Sequence, residues 1–136
     1  MKKYLLDTNI GIFYLKGLFQ LADKIEQVGL SNCLISEITL TELKFGAENS
    51  HQIEHNRLVV QELQNKIQIV PIIGALDLYA KEKTRLRKAG TPLDDFDLLI
   101  GTTAIANDLI MVTHDTNHFK RLQGIRLEDW TKTFPE

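Results

Sequence analysis

The sequence predicts an α/β fold: a central, mostly parallel sheet of four or five strands with helices on both faces, in a three-layer α/β/α order. Three observations carry that prediction. Short apolar runs such as Tyr4–Leu6 and Leu109–Thr113 are too short for helices and end in turn-forming residues. Between them lie segments with apolar residues at helical spacing. The two kinds alternate, which argues for crossover connections and a parallel sheet. At 136 residues the chain has the commonest size for one domain and buries roughly two thirds of its unfolded surface. No linker, repeat or low-complexity stretch divides it, so residues 1–136 read as a single domain.

Taken in order, Tyr4–Leu6 is a buried strand ending in Asp7, and Asp7-Thr8-Asn9 makes a turn before a helix over Ile10–Lys16, stopped by Gly17. Phe19–Val28 carries Leu21, Ile25 and Val28 at helical spacing. Asn32–Ile35 is the next strand, with Cys33 buried in it. Ser36 and Thr39 are cap candidates for a helix through Leu40, Leu43 and Ala47. Gln52–Asn65 reads as a helix through Ile53, Leu58, Val59 and Leu63, and Lys66–Pro71 as a strand. Ala75–Ala89 is a helix with Leu76, Tyr79 and Leu86 inward, closed by Gly90. The Thr91–Asp95 loop enters a helix whose Leu98, Leu99, Ile100, Ala104 and Ile105 are buried. Leu109–Thr113 is a further strand, Asn117–Leu122 a helical turn and Ile125–Leu127 a last strand, with Trp130 packing beyond it.

Composition excludes several classes. A net charge of −2 gives no global nucleic-acid signature, so any such binding must come from a local patch. The single cysteine rules out an intrachain disulfide and a cysteine-rich zinc site. The start, MKKYLLDTN, has no uninterrupted apolar stretch for a signal peptide, and Leu98–Val112 is too short and too interrupted to span a bilayer. These features predict a soluble, cytoplasmic protein with no membrane partner.

The chemistry lies in the acids. Asp7 ends the first strand, Glu42 lies in the helix after the second, Asp97 in the first turn of the buried helix, and Asp115 after LIMVT. Parallel sheets place their sites outside the carboxyl ends of the strands, where all four can meet. Singly, each has an ordinary structural role open to it. Asp7 suits a helix cap, Glu42 a capping box with Thr39, Asp97 a helix dipole, and Asp115 a turn. Together they conflict with one another, because two carboxylates about 4 Å apart repel by roughly 4 kcal/mol at an effective dielectric of 20. A hard cation such as Mg²⁺ or Mn²⁺ resolves the conflict, and its chemistry is phosphodiester hydrolysis by metal-activated water. Thr8, Asn9 and Thr113 are placed to hydrogen-bond such ligands from behind.

The segments LLDTN, TLTELKFGA, TPLDDFDLLIGTTAIA and VTHDTNHF, in that order and followed by EDW, resemble the PIN-domain family, and within it the VapC-type toxins of type II toxin–antitoxin pairs. The resemblance covers nearly the whole chain. It implies a PIN-like fold and a metal-dependent endoribonuclease that cuts transfer or ribosomal RNA, leaving 5′-phosphate and 3′-hydroxyl ends. It maps the family's acidic positions onto Asp7, Glu42, Asp97 and Asp115, the last at a position that varies between Asp and Asn. It also implies Mg²⁺ or Mn²⁺, a homodimer, and a cognate VapB-like antitoxin in a hetero-oligomer. Phe13, Tyr14, Leu18 and Phe19 are candidate antitoxin contacts, or core. Asp94 and Asp95 lie beside the third motif and suit a cap. The family's usual Ile-Ala-Ala after the third acid is Ile100-Gly101-Thr102 here, a difference in packing.

An acidic site does not hold RNA unaided. Lys81, Lys83, Arg85, Arg87 and Lys88 precede the acidic loop, and Lys81, Arg85 and Lys88 share a helix face that either binds phosphates or is simply solvated. Lys44, Lys120 and Arg121 are secondary candidates. The histidine pairs His51/His55 and His114/His118 have chelating spacing but no third ligand, and His118 lies within reach of a phosphate at the site. A haloacid-dehalogenase-like phosphatase wants an acid where Asn9 stands, and a receiver domain wants paired acids and a late lysine that are missing. A non-catalytic PIN-like module binding RNA or protein remains the alternative.

Overall fold

The computed structural model describes residues 2–132. Five strands, β1 (Tyr4–Leu6), β2 (Cys33–Ser36), β3 (Gln68–Val70), β4 (Ile110–Val112) and β5 (Leu127–Glu128), form one sheet in the order β3-β2-β1-β4-β5. All pairings are parallel, with Leu5 opposite both Leu34 and Met111. The helices are α1 (Thr8–Leu15), α2 (Leu21–Val28), α3 (Glu37–Glu48), α4 (Ile53–Lys66), α5 (Leu76–Lys88), α6 (Asp95–Ala106) and α7 (Thr116–Phe119).

The central strands are buried on both faces, so their side chains divide by alternation. Tyr4, Leu6, Cys33, Ile35, Ile110 and Val112 enter a core with α1, α2, α3 and α4. Leu5, Leu34 and Met111 enter a second core with α5 and α6. This is the period of two expected of a pleated strand. Trp130 is fully buried, lies edge-on to Tyr4 at 5.0 Å, and its carbonyl accepts a hydrogen bond from the buried Lys24 ammonium.

Several element boundaries differ from those expected. α2 starts at Leu21 rather than Phe19, because Phe19 and Gln20 take left-handed backbone angles, φ 57° and 55°. β2 is shifted by one residue and β5 by two, and a 3-10 turn (Ile73–Ala75) precedes α5. On α4, Leu58 points outward at 66% exposure while Val60 and Leu63 face the core. Leu76, expected inward, is 40% exposed. Gly101 is where α6 meets the segment after α7: a Cβ there would stand 2.3 Å from Leu122 Cδ1. That close approach brings α7 against the start of α6.

Strand order runs outward from β1 in one direction and from β4 in the other. The chain therefore reverses its winding between these two neighbours. Such a switch point leaves a crevice at the carboxyl ends of the two strands, and the residues that follow them are the ones that line it.

Candidate active site

Asp7 leaves β1 at that crevice. Its own N–H donates to Val112 C=O at 2.8 Å, continuing the ladder, and its C=O accepts from Gly11 N–H to open α1. The carboxylate is 4% exposed. One oxygen accepts from Thr8 N–H and the other from the Thr113 hydroxyl, both at 2.8 Å. Burial pushes its pKa up to about 6; the bonds from Thr113 and Thr8 pull it down, and the charges of Asp97 and Glu42 push it up.

Those two neighbours arrive from other elements. Glu42 is on α3, which is capped by Ser36, whose hydroxyl accepts from Thr39 N–H at 3.0 Å. The capping-box role proposed for Glu42 with Thr39 is thus not taken up. Glu42 instead accepts from the Thr8 hydroxyl at 2.6 Å, which also lies 3.1 Å from the Thr39 hydroxyl. Asp97 is in the first turn of α6, capped by Asp94 through a bond from Phe96 N–H at 3.2 Å. Burial raises the Asp97 pKa, His118 lowers it, and the charges of Asp94 and Asp115 raise it.

The fourth acid is less enclosed. Asp115 is exposed at the N-cap of α7, and its N–H donates to the Thr113 hydroxyl at 3.0 Å. Thr113 is fully buried and thus links Asp7 to Asp115. Asn9 makes no hydrogen bond to an acid among the described residues. Its side-chain oxygen accepts from His114 N–H at 3.3 Å and ties the end of β4 to α1.

His118 has a place that sequence reasoning did not assign. Its Nε2 lies 3.0 Å from Asp97, and because a carboxylate only accepts, the ring nitrogen donates. The signal was its position three residues after Asp115, which one helical turn brings back over α6. Asp95 accepts from the Tyr79 hydroxyl and the Lys83 ammonium, both at 2.8 Å, and so fastens α5 to α6.

The basic helix face divides. Arg85 is occupied: it makes two bonds to the buried Glu82, at 2.7 and 2.8 Å, and one to Arg121 C=O at 2.8 Å. Glu82 also accepts from Gln123 N–H at 2.9 Å. Arg85 therefore clamps the 121–123 loop to α5, and the phosphate role suggested for it meets a guanidinium already engaged. Lys81 and Lys88 are exposed, with no hydrogen-bond partner among the described residues.

A groove of about 410 Å³ opens between α1, α3 and α4, lined by Ile12, Leu15, Leu43, Ala47 and Val59, with Glu42 at its edge. Leu18 and Phe19 are exposed nearby in sequence, whereas Phe13 and Tyr14 pack against the core.

The donor set suits a hard cation held openly. Among the described residues no three His, Cys, Asp or Glu side chains gather into a ready-made cage. Mg²⁺, however, takes one or two carboxylates and keeps several waters. A carboxylate raised chiefly by burial, and further by two acidic neighbours, is the environment such an ion relieves.

Comparison with known proteins identifies the family. The family model described as PIN domain matches residues 4–125. The chain is 33% identical to the tRNA(fMet)-specific endonuclease VapC of Shigella flexneri over 132 residues, 96% of this chain and 100% of that one. It is 31% identical to ribonuclease VapC2 of Rickettsia felis, over 95% of this chain and 98% of the relative. Among solved structures it superposes on a chain of DNA-bound VapBC from Salmonella typhimurium with a TM-score of 0.88 at 33% identity, covering 96% of this chain and 99% of that one.

Proposed function

The chain belongs to the PIN-domain family, and from that premise we propose that it is a VapC-like toxin, a divalent-metal-dependent endoribonuclease restrained by a cognate antitoxin. The observation that supports this most is the Asp7 carboxylate, buried at the switch point and coupled to the charges of Glu42 and Asp97. A structural acid would be relieved by a lysine or arginine; this one is surrounded by acids.

Asp7 and Asp97 would hold Mg²⁺ or Mn²⁺, with Glu42 and Asp115 reaching it directly or through water. The cation would supply an acidified water and positive charge opposite the scissile phosphate. The protein's own residues fix the ligands. Thr8 and Thr113 hold both Asp7 oxygens, Thr8 orients Glu42, and His118 sets the Asp97 rotamer. Asn9 keeps the Asp115 loop against α1. No side-chain nucleophile is required, and burial pushes the Cys33 thiol up to about 12, which removes it as one.

The name of one relative makes transfer RNA the first substrate to test, and the family resemblance makes ribosomal RNA the second. For the antitoxin we assign the groove between α1, α3 and α4: an apolar segment lying there would carry a basic side chain to Glu42 and the acids beyond it. The exposed Leu18 and Phe19 would extend that contact. A homodimer within the toxin–antitoxin complex completes the reading. No helix among the described residues is long and apolar enough to cross a membrane.

A non-catalytic RNA- or protein-binding module is the second reading, favoured by the lack of a preformed three-donor cage. Incubation with total RNA separates the two. Cleavage should require Mg²⁺ or Mn²⁺, stop with EDTA, disappear in Asp97→Asn, and leave 5′-phosphate ends. Cutting that survives both EDTA and Asp97→Asn would remove the metal mechanism; no cutting under any divalent ion would favour the module.

A further inference from the structure

The arginines of this chain differ in what they bond. Arg57 pairs with Glu48, Arg85 with Glu82 and Arg126 with Asp108, each at 2.7 Å. Arg87 lends its charge to Asp95. Arg121 bonds no carboxylate among the described residues; its Nη1 donates to the Pro92 C=O at 3.0 Å. A guanidinium has five N–H donors, so a bond to one neutral carbonyl fixes the side chain without cancelling its charge or exhausting its donors. Lys120, the residue before it, is held in the same way: its ammonium donates to the Asn117 side-chain oxygen at 3.3 Å. Both side chains are exposed.

Their place in the fold is the rim of the acidic crevice. α7 sets His118 against Asp97 at 3.0 Å, and the chain reaches Lys120 and Arg121 within the next turn. Pro92, on which Arg121 is fixed, lies in the loop that enters α6, just ahead of the Asp94 cap. The backbone of Arg121 is also tied down, because its C=O accepts from Arg85 at 2.8 Å. α7 thus begins at the acid Asp115 and ends at the cation Lys120. A cation among the acids answers one phosphate; the phosphates on either side of it would still face a negative surface. Positive charge at the rim removes that repulsion. An exposed arginine ordinarily loses conformational freedom when it binds, and the Pro92 bond has already restricted this one.

We propose that Lys120 and Arg121 form a phosphate-binding edge for single-stranded RNA, holding the backbone phosphate next to the one placed at Asp7 and Asp97. The proposal deepens the endoribonuclease reading and rests on it for the identity of the strand. The two cations hold the strand and take no part in the chemistry. Phosphate carries no sequence information, so this edge strengthens binding equally for every base.

The test follows labelled single-stranded oligoribonucleotides, all-adenosine and all-uridine, by fluorescence anisotropy in EDTA over a series of salt concentrations. Arg121→Gln should weaken binding roughly three- to tenfold and flatten the slope of log K against log salt by about 0.7, the loss of one phosphate contact on a single strand. Lys120→Gln should do the same, and the double variant should flatten the slope by about 1.4. Arg121→Lys restores the charge and should restore the slope. Arg126→Gln removes an equal charge at the amino ends of β4 and β5, far from the crevice, and should leave the slope unchanged. If Arg121 only staples the Pro92 loop, Arg121→Gln lowers Tm and its slope equals that of Arg126→Gln, which would overturn the proposal. A slope change confined to one of the two oligonucleotides, or no RNA binding by the natural chain, would overturn it as well. Binding in EDTA needs no catalysis. A chain that shows the expected slopes but cuts nothing in Mg²⁺ refutes the nuclease and retains the edge; one that cuts RNA with slopes unaltered refutes the edge alone.

Discussion

Replacing Asp7 with Asn removes a buried charge with almost no change of shape, and the structure sets both the sign and the size of the effect. The Asp7 pKa stands at about 6 in the folded protein against an ordinary 3.8. Between those values the native chain holds a proton that the unfolded chain releases. The stability linked to that proton is complete below about 3.8 and is lost as pH rises through 6. Roughly two pKa units at about 1.4 kcal/mol each amount to about 3 kcal/mol of destabilisation at pH 7. Asn avoids that penalty but exchanges a charge-assisted bond for a neutral one, a loss of about 1 kcal/mol. Asp7→Asn should therefore be about 2 kcal/mol more stable than the natural chain at pH 7–8 in EDTA, on the order of 5–8 °C in Tm. At pH 4 the gain should vanish. The assay is urea unfolding of both chains from pH 4 to 8, read as a difference so that other titrating groups cancel. Excess Mg²⁺ should reverse the order, since a ligand at about 100 times its Kd stabilises the binding form by about 2.7 kcal/mol. Parallel stability curves across the whole pH range would refute the reasoning that Asp7 is held ionised at a cost.

Three further outcomes follow from the same contacts. Thr113→Val removes the hydroxyl that lowers the Asp7 pKa and also leaves the Asp115 N–H without its acceptor. The acid limb of the pH–rate profile should move to higher pH, with stability lower by about 1–3 kcal/mol by denaturant unfolding. Gly101→Ala places a Cβ 2.3 Å from Leu122 Cδ1 and should destabilise by about 1–3 kcal/mol, with Leu122→Ala partly relieving the clash in the double variant. Arg85→Ala strips the buried Glu82 of its ion pair and should lower Tm while leaving the salt slope of RNA binding unchanged. A flattened slope would return Arg85 to the RNA-binding surface.

The central strands were legible because burial on both faces makes them short continuous apolar runs, and β1, β2 and β4 carry no competing helical period. Asp7 and Asp97 were legible for a related reason: each interrupts such a run with a charge. Other features depend on tertiary contacts that spacing does not encode. Ser-Glu-Ile-Thr-Leu-Thr-Glu offers two overlapping caps for α3, and only the fold selects Ser36 and frees Glu42 for Thr8. Leu58 and Leu76 satisfy a helical period yet face outward, because an apolar residue at the edge of a stripe is compatible with either side. Arg85 and Arg87 look alike in sequence. One bonds Glu82 and the 121–123 loop, and the other only lends its charge to Asp95, a difference set by where the chain returns thirty-six residues later. Gly101 is a small residue in a row of small residues until Leu122 is placed against it.

The acids act on one another through their charges, and this bears on regulation. Glu42 lines the groove between α1, α3 and α4; the charges of Glu42 and Asp97 act on Asp7, and those of Asp94 and Asp115 act on Asp97. A segment seated in the groove would meet this coupled set at Glu42. A basic side chain entering from the groove would compete first with the cation, because it neutralises the same carboxylates that burial and repulsion leave in need of positive charge. Inhibition through the groove would thus act on the ligands of the cation and would not require the RNA itself to be displaced.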